Sequence, residues 1–252
     1  MNVQIVVATH KTYPMPEDPV YLPVQAGRAL HGPLPYQADD EGENISAKNA
    51  GYCELTCLYW AWKNLDADGL GLCHYRRHFA GRRTGSRWGR VLTGRQARRL
   101  LEQTPIVLPK PRRYYIETNY SQYAHAHGGG DLDAVRQILD RRDPVWTEAF
   151  DRVMARTWGH RWNMLIMRRQ ILDRYCAWLF GVLGELEERI DPSGCDGSGR
   201  RVFGFVAERL LDVWLEAEKV PYREVPLINM ESQHWPRKIA AFLRRKFARE
   251  HG

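Results

Sequence analysis

The 252-residue sequence contains no Walker-type phosphate loop, no GxGxxG fingerprint and no CxxC pair. The first two absences exclude the devices in which a glycine-rich turn and a helix N-terminus cradle phosphate. Five cysteines (Cys53, Cys57, Cys73, Cys176 and Cys195) are odd in number and thinly spread. That argues against a disulfide framework and structural zinc, and fits a reducing compartment. Long apolar runs are also missing: the longest, Cys176 to Gly184, falls far short of the roughly 20 residues that cross a bilayer. Val3 to Ala8 is too short for a secretory h-region and has no basic stretch before it. These features predict a cytoplasmic protein. Lysine is scarce, 7 residues against 30 arginines, and the net charge is +7. Such a chain favours anionic partners: nucleic acid, phosphorylated small molecules or an anionic membrane.

What is present reads as one globular unit with an appendage. Hydrophobic residues make up 44% and charged residues 27%, which excludes a mostly disordered chain. Val3 to Ala8 has the pattern of a buried strand opening a parallel sheet. A loop rich in proline and tyrosine follows, Tyr13 to Asp40. Tyr52, Leu55, Leu58, Tyr59 and Trp62 recur at helical spacing and predict one helix over 47–64, with Ser46 as its cap. Leu70–Cys73, Pro105–Leu108, Asn163–Met167 and Val225–Ile228 read as strands. Gly81 to Arg99 reads as a loop that turns into a helix. Further helices are expected after Asp131 as cap, over Ile171–Ile190 and over Phe205–Glu216, with a loop at 191–199. Alternating strands and helices predict an α/β fold with a mostly parallel central sheet flanked by helices. The expected domain covers 1–235, and 236–252 forms a basic amphipathic tail.

In such a sheet ligands bind beyond the C-terminal ends of the strands. Thr9-His10-Lys11 follows the first strand and His74-Tyr75-Arg76-Arg77 the second, so both clusters are expected there. Cations with neighbouring histidines at that edge suit a diphosphate. Asp66-Ala67-Asp68 has the D-x-D spacing of a metal site but precedes its strand, and reads better as a solvated turn. The acidic run from Asp39 to Glu43 suits a ribose, a metal or plain solvent. His125 and His127 with Asp131 and Asp133 make a weaker metal candidate. Glu208 is read in the first turn of an apolar helix, where a partly buried carboxylate could activate an acceptor hydroxyl as general base. The tail, with Ile239, Phe242, Leu243 and Phe247 along one side and basic residues around them, suits an anionic membrane or the core.

A set of motifs then carries a resemblance. It comprises Val7-Ala8-Thr9-His10-Lys11, Asn44-Ile45-Ser46-Ala47-Lys48-Asn49, Tyr52-Cys53-Glu54-Leu55-Thr56 and Gly71-Leu72-Cys73-His74-Tyr75-Arg76-Arg77. It continues with Tyr59-Trp60-Ala61-Trp62-Lys63-Asn64, Tyr120-Ser121-Gln122-Tyr123, Asp131-Leu132-Asp133, Asn163-Met164 and Arg201-Val202-Phe203-Gly204-Phe205 with Glu208-Arg209-Leu210-Leu211. From about residue 3 to residue 230 the chain resembles a bacterial family of capsular and exopolysaccharide synthesis proteins. That family was long carried as a domain of unknown function and is now grouped with glycosyltransferases, including galactofuranosyltransferases. The resemblance implies a GT-A-like fold and a hexosyltransferase that extends a surface glycan on a polyprenyl-diphosphate carrier at the inner membrane face. UDP-galactofuranose is the leading donor it implies and UDP-galactopyranose the runner-up.

By the same resemblance Thr9, His10 and Lys11 begin to hold the uridine nucleotide, and Asn44, Ser46 and Asn49 hold the nucleoside. Asn163 joins the donor site. His74, Tyr75, Arg76 and Arg77 stand where GT-A enzymes carry a metal-binding D-x-D. Cations there would neutralise the leaving diphosphate, so weak or absent metal dependence is expected and no metal ligand is assigned; Mn or Mg stays open as a cofactor. Glu208 is the expected base of an inverting single displacement and Asp131 the reserve. The rival readings are a non-catalytic nucleotide-sugar-binding scaffold and a nucleic-acid-binding module. The second has the charge in its favour but its aromatics sit at core spacing, so no nucleic acid partner is expected.

Overall fold

The first strand, β1 (Val3–Thr9), alternates its side chains between two cores. Val6 and Ala8 belong to the larger apolar cluster, and Val3, Ile5 and Val7 to the smaller one on the other face. A strand buried on both faces needs a near-continuous apolar run, here broken only by the half-buried Gln4, which is why it was legible in the sequence. The structure, a computed structural model, describes residues 1–82, 85–190 and 201–231.

The remaining strands are β2 (Tyr21–Gln25), β3 (Gln37–Ala38), β4 (Gly69–His74), β5 (Arg77–Phe79), β6 (Ile106–Pro109), β7 (Arg112–Arg113), β8 (Trp158–Gly159), β9 (Leu165–Arg168), β10 (Tyr222–Val225) and β11 (Leu227–Asn229). The helices are α1 (Asn49–Tyr52), α2 (Leu55–Asn64), α3 (Gly94–Gln103), α4 (Asn119–His127), α5 (Gly130–Arg142), α6 (Pro144–Ala155), α7 (Arg169–Glu187) and α8 (Val202–Glu218). The central sheet runs β10-β6-β9-β4-β1-β2-β3, with β5 and β11 paired beside the end of β4. Along that path every pairing is parallel except the two made by β9. This is the expected α/β architecture, a mostly parallel sheet, with β9 reversed within it and β5 reversed beside β4. Helices α2, α5, α6, α7 and α8 contribute to the larger core. Ala97 and Leu101 of α3 join the smaller one.

Several expectations change. The segment Tyr13–Asp40 is not one loop, because it supplies β2 and β3. Pro23 hid β2, since proline cannot donate within a ladder. The Ala26 N–H donates to the Thr9 carbonyl and the Asp39 N–H to the Gln25 carbonyl. Even-numbered residues of β2 therefore face β1 and odd ones face β3. Pro23 turns its nitrogen to the side of β3, whose pairing starts only at Val24. Residues 10–20, without a helix, make the crossover between the parallel strands β1 and β2.

The single helix expected over 47–64 is broken. A 3-10 turn over Ser46–Lys48 leads into α1, and Cys53 with φ 53° ends α1 before α2 begins. Ser46 does not cap it; its hydroxyl donates to the Asp39 carboxylate instead. Asp131 is not a cap either: Gly129 precedes α5 and Asp131 lies in its first turn. Helix α8 begins at Val202, so Glu208 sits well inside the helix and not in its first turn. Asn163 precedes β9, with φ 52°, and the strand over 225–228 resolves into β10 and β11. Helices α4 and α6 were not foreseen. The loop at 191–199 and the tail 236–252 lie outside the described residues.

Candidate functional site

The sheet brings one set of strand ends to a common edge. β1 ends at Thr9 and β4 at His74, β6 leads into Arg112, and the reversed β9 is entered there from Trp162 and Asn163. Beyond that edge lies a cleft of about 660 Å3. Among the described residues six guanidinium groups line it (Arg76, Arg77, Arg112, Arg161, Arg201 and Arg209), with His10, His31, His74 and His127 and two carboxylates, Glu54 and Glu208. The excess of fixed positive charge gives the cleft the electrostatics of an anion site.

Of the residues singled out in the sequence, Thr9, His10, Asn49, His74, Tyr75, Arg76, Arg77 and Glu208 line this cleft. Lys11 stands at its border over the Tyr75 ring, 5.1 Å from the centroid, and pairs with Glu231 at 3.8 Å. Asn163 is buried behind the wall and donates to Glu54 Oε1 at 2.9 Å and to the Gly204 carbonyl. Asn44 and Ser46 are not lining residues. The Asn44 amide donates to the Asp40 and Gly42 carbonyls and its oxygen accepts from the Ser46 N–H, all within the preceding loop. Asp131 accepts from the buried Tyr123 hydroxyl at 2.8 Å and is not a lining residue.

The metal candidates disperse. Asp68 accepts from the Asn2 N–H at 2.6 Å, at the start of β1 and so at the opposite edge of the sheet from the cleft. Asp39 is fully buried and accepts from the Gly27 and Arg28 N–H groups and from the Ser46 and Thr56 hydroxyls. His125 pairs with Glu117 at 2.7 Å, while His127 stacks on Phe205, so the two diverge. Among the described residues no three His, Cys, Asp or Glu side chains converge as a metal site. The donor set of the cleft is cationic, and a D-x-D type metal does not fit it.

The cationic wall is built in two parts. Tyr75 and Arg76 form the turn between β4 and β5, and Arg77 opens β5. The Arg77 guanidinium lies over the Trp162 ring, 5.6 Å from its centroid, and burial, then Arg76, push it below its ordinary range. Burial also lowers His74, with Arg77 acting in the same direction and Glu54 against it, so the imidazole is neutral at neutral pH. Its Nε2 faces the Trp162 carbonyl at 2.6 Å and therefore carries the proton.

The second part is a buried arginine web. Arg161 donates to the Tyr114 hydroxyl, to the His160 and Glu208 carbonyls and to the Asn119 side chain. Arg209, lowered by burial, donates to Glu208 Oε2 at 3.2 Å and to Gln122 at 2.7 Å. Glu208 Oε1 accepts the Trp162 N–H at 3.0 Å. Both Glu208 oxygens are thus engaged. The site concentrates strain as well: Cys53, Trp162 and Asn163 all have positive φ. Such residues cost on the order of 1–3 kcal/mol each and persist where the surroundings overdetermine them.

Sequence reasoning missed Glu54, Arg112, Arg161, Arg201 and Arg209 as cleft residues. Glu54, Arg201 and Arg209 stood inside quoted motifs, and Arg161 lies two residues before Asn163, which was singled out. Their convergence is a property of the sheet edge, and single-chain spacing does not carry it.

Residues 4–219 match the profile of DUF4422, a domain of unknown function. The chain belongs to the DUF4422 family. No curated protein matches it. Among solved structures, this DUF4422 chain is similar to the apo structure of the bifunctional glycosyltransferase WbbM. Identity is 28% and the TM-score 0.85, over 92% of this chain and 46% of that one. This chain therefore spans less than half the length of that protein. The cleft of this DUF4422 domain lies almost wholly within the matched residues; Glu231, which pairs with Arg76 at its border, lies beyond them.

Proposed function

We propose that this protein is a nucleotide-sugar-dependent glycosyltransferase. The observation that carries the reading is the arginine-lined cleft at the C-terminal edge of the parallel strands, in a chain similar over 92% of its length to part of a glycosyltransferase. A nucleoside diphosphate sugar needs its diphosphate neutralised as the glycosyl bond breaks. Arg76 and Arg77, at the end of β4, supply fixed cations for that charge, and His10 and Thr9 at the end of β1 adjoin them.

The reaction is a single displacement. The acceptor hydroxyl oxygen bonds to the anomeric carbon while the bond from that carbon to the diphosphate oxygen breaks. The electron pair leaves with the nucleoside diphosphate and the hydroxyl proton passes to a carboxylate of the cleft. Glu208, the base expected from the sequence, is one of the two that reach it. The family resemblance favours UDP-galactofuranose as donor, with UDP-galactopyranose second, and a lipid-linked glycan as acceptor. No helix among the described residues is long and apolar enough to cross a membrane. Docking at an anionic membrane surface is assigned to 236–252.

A thermal-shift titration with UDP tests the reading, in EDTA and in manganese, with single-stranded DNA as the competing ligand. A ligand at about 100 times its Kd stabilises a fold by roughly 2.7 kcal/mol. Stabilisation by UDP in EDTA is the expected result. No response to UDP beside a clear response to DNA would replace the reading with nucleic-acid binding.

A further inference from the structure

The two carboxylates of the cleft are not equivalent. Glu208 has both oxygens committed, Oε1 to the Trp162 N–H and Oε2 to Arg209. Glu54 accepts only on Oε1, from Asn163 Nδ2 at 2.9 Å, with the neutral His74 imidazole 3.7 Å from that same oxygen. Among the described residues Oε2 of Glu54 has no hydrogen-bond partner, and Glu54 lines the cleft.

Each carboxylate oxygen has two lone pairs, but an oxygen that already accepts from a protein donor, above all a guanidinium, is the weaker base, so a base is best served by an oxygen with no protein donor on it and by a fixed position. Glu54 has both. Asn163 holds one oxygen and leaves the other open toward the cavity. The backbone around it is overdetermined: Cys53 immediately before it has φ 53°, and Trp162 and Asn163, which hold His74 and Glu54, have φ 71° and 52°. Two non-glycine residues with positive φ, Cys53 beside it and Asn163 bonded to it, fix this carboxylate; the third, Trp162, gives its carbonyl to His74 and its N–H to Glu208, which itself lies in a regular helix. Backbone strain of this kind collects where a side chain must be aimed.

We propose that Glu54 is the catalytic base of the transfer, taking the acceptor proton on Oε2 as the new glycosidic bond forms and the nucleoside diphosphate departs. Glu208 is a positioning residue: its carboxylate fixes the Trp162 N–H and Arg209, and through Trp162 the stacked Arg77. The proposal rests on the glycosyltransferase reading.

The test compares Glu54→Gln and Glu208→Gln in the full chain. Glutamine at 54 keeps an Oε1 acceptor for Asn163 and replaces only the free oxygen, so the fold and the donor site are retained. Transfer is read by mass spectrometry from UDP-galactofuranose and UDP-galactopyranose to octyl galactoside, and UDP affinity by calorimetry. The expected loss in kcat for Glu54→Gln is about a hundred- to ten-thousand-fold, with the UDP Kd unchanged. Glu208→Gln is expected to weaken UDP binding and lower kcat by about tenfold or less. Formate, a small carboxylate that can enter the space left by Glu54→Ala, restores part of the turnover there and none in Glu208→Ala. If Glu54→Gln keeps turnover while Glu208→Gln loses it, the base is Glu208 and the proposal is overturned. If Glu54→Gln does not fold, Glu54→Asp with partial turnover supports the assignment and full turnover overturns it. A wild-type chain that binds UDP but transfers from neither donor overturns the transferase reading itself, and the base assignment with it.

Discussion

Replacing Asp39 separates a structural acid from a ligand. Asp39 is fully buried, and each of its oxygens accepts from one backbone N–H and one hydroxyl. Oδ2 takes the Gly27 N–H at 2.8 Å and the Thr56 hydroxyl, and Oδ1 takes the Arg28 N–H at 2.9 Å and the Ser46 hydroxyl. Gly27 has φ +68°, and its missing Cβ would collide with Asn49, so this turn tolerates no other residue easily. The carboxylate fixes that turn and ties β3 to α2. Hydrogen bonds to a charged group contribute about 1.5–3 kcal/mol each. The Thr56 hydroxyl has an alternative acceptor, the Cys53 carbonyl at 3.0 Å, whereas the two backbone donors and the buried Ser46 hydroxyl lose theirs. The two backbone donors alone set the cost of Asp39→Ala at about 3–6 kcal/mol or more. Asp39→Asn turns one oxygen into a donor facing a backbone N–H, and should cost about half of that. For a chain of this size 1 kcal/mol moves Tm by roughly 2–4 °C. Urea unfolding followed by tryptophan fluorescence should show Asp39→Ala falling furthest and Asp39→Asn in between. Both variants unfolding with the wild-type midpoint while UDP binding is lost would refute the structural role and make Asp39 a ligand.

Two further predictions follow from other groups. Arg77→Met keeps an unbranched chain against Trp162 but removes the charge, and should weaken UDP binding by about 10- to 100-fold, roughly 1.4–2.8 kcal/mol. An unchanged Kd by calorimetry would remove Arg77 from the diphosphate site. His78 is buried on β5, and burial pushes it from 6.5 down to about 4. The unfolded chain binds that proton first, so stability is complete above pH 6.5 and falls as the pH drops toward 4, by about 3 kcal/mol in all. Denaturation midpoints from pH 7 to pH 4 should show this slope, and His78→Gln should flatten it; an equal slope in both proteins would contradict the assignment.

The parts of the fold legible in the sequence are those whose signal is local. β1 announced itself by a run rich in β-branched residues, interrupted by the polar Gln4, and α7 by leucines at helical spacing. The clusters at the ends of β1 and β4 followed from a general rule about parallel sheets, and they meet at one cleft. What stayed hidden depends on partners far along the chain. β2 carries Pro23, harmless only because β3 is too short to reach it. The break at Cys53 lies inside a helical pattern, and it is the break that turns Glu54 into the cleft. Arg161 and Arg209 look like surface charge until Tyr114, Asn119 and Gln122 are folded around them. The helix-start reading of Glu208 failed because α8 extends back to Val202, where Val202 and Phe203 are buried.

The most direct measurement of the central claim is product formation. The purified chain is incubated in EDTA with UDP-galactofuranose or UDP-galactopyranose and a galactoside acceptor, and the products are read by mass spectrometry. The expected product is an acceptor heavier by one hexose, with UDP released in equal amount. Neither transfer nor UDP release from either donor, in EDTA or in manganese, from a folded chain that binds UDP would contradict that claim.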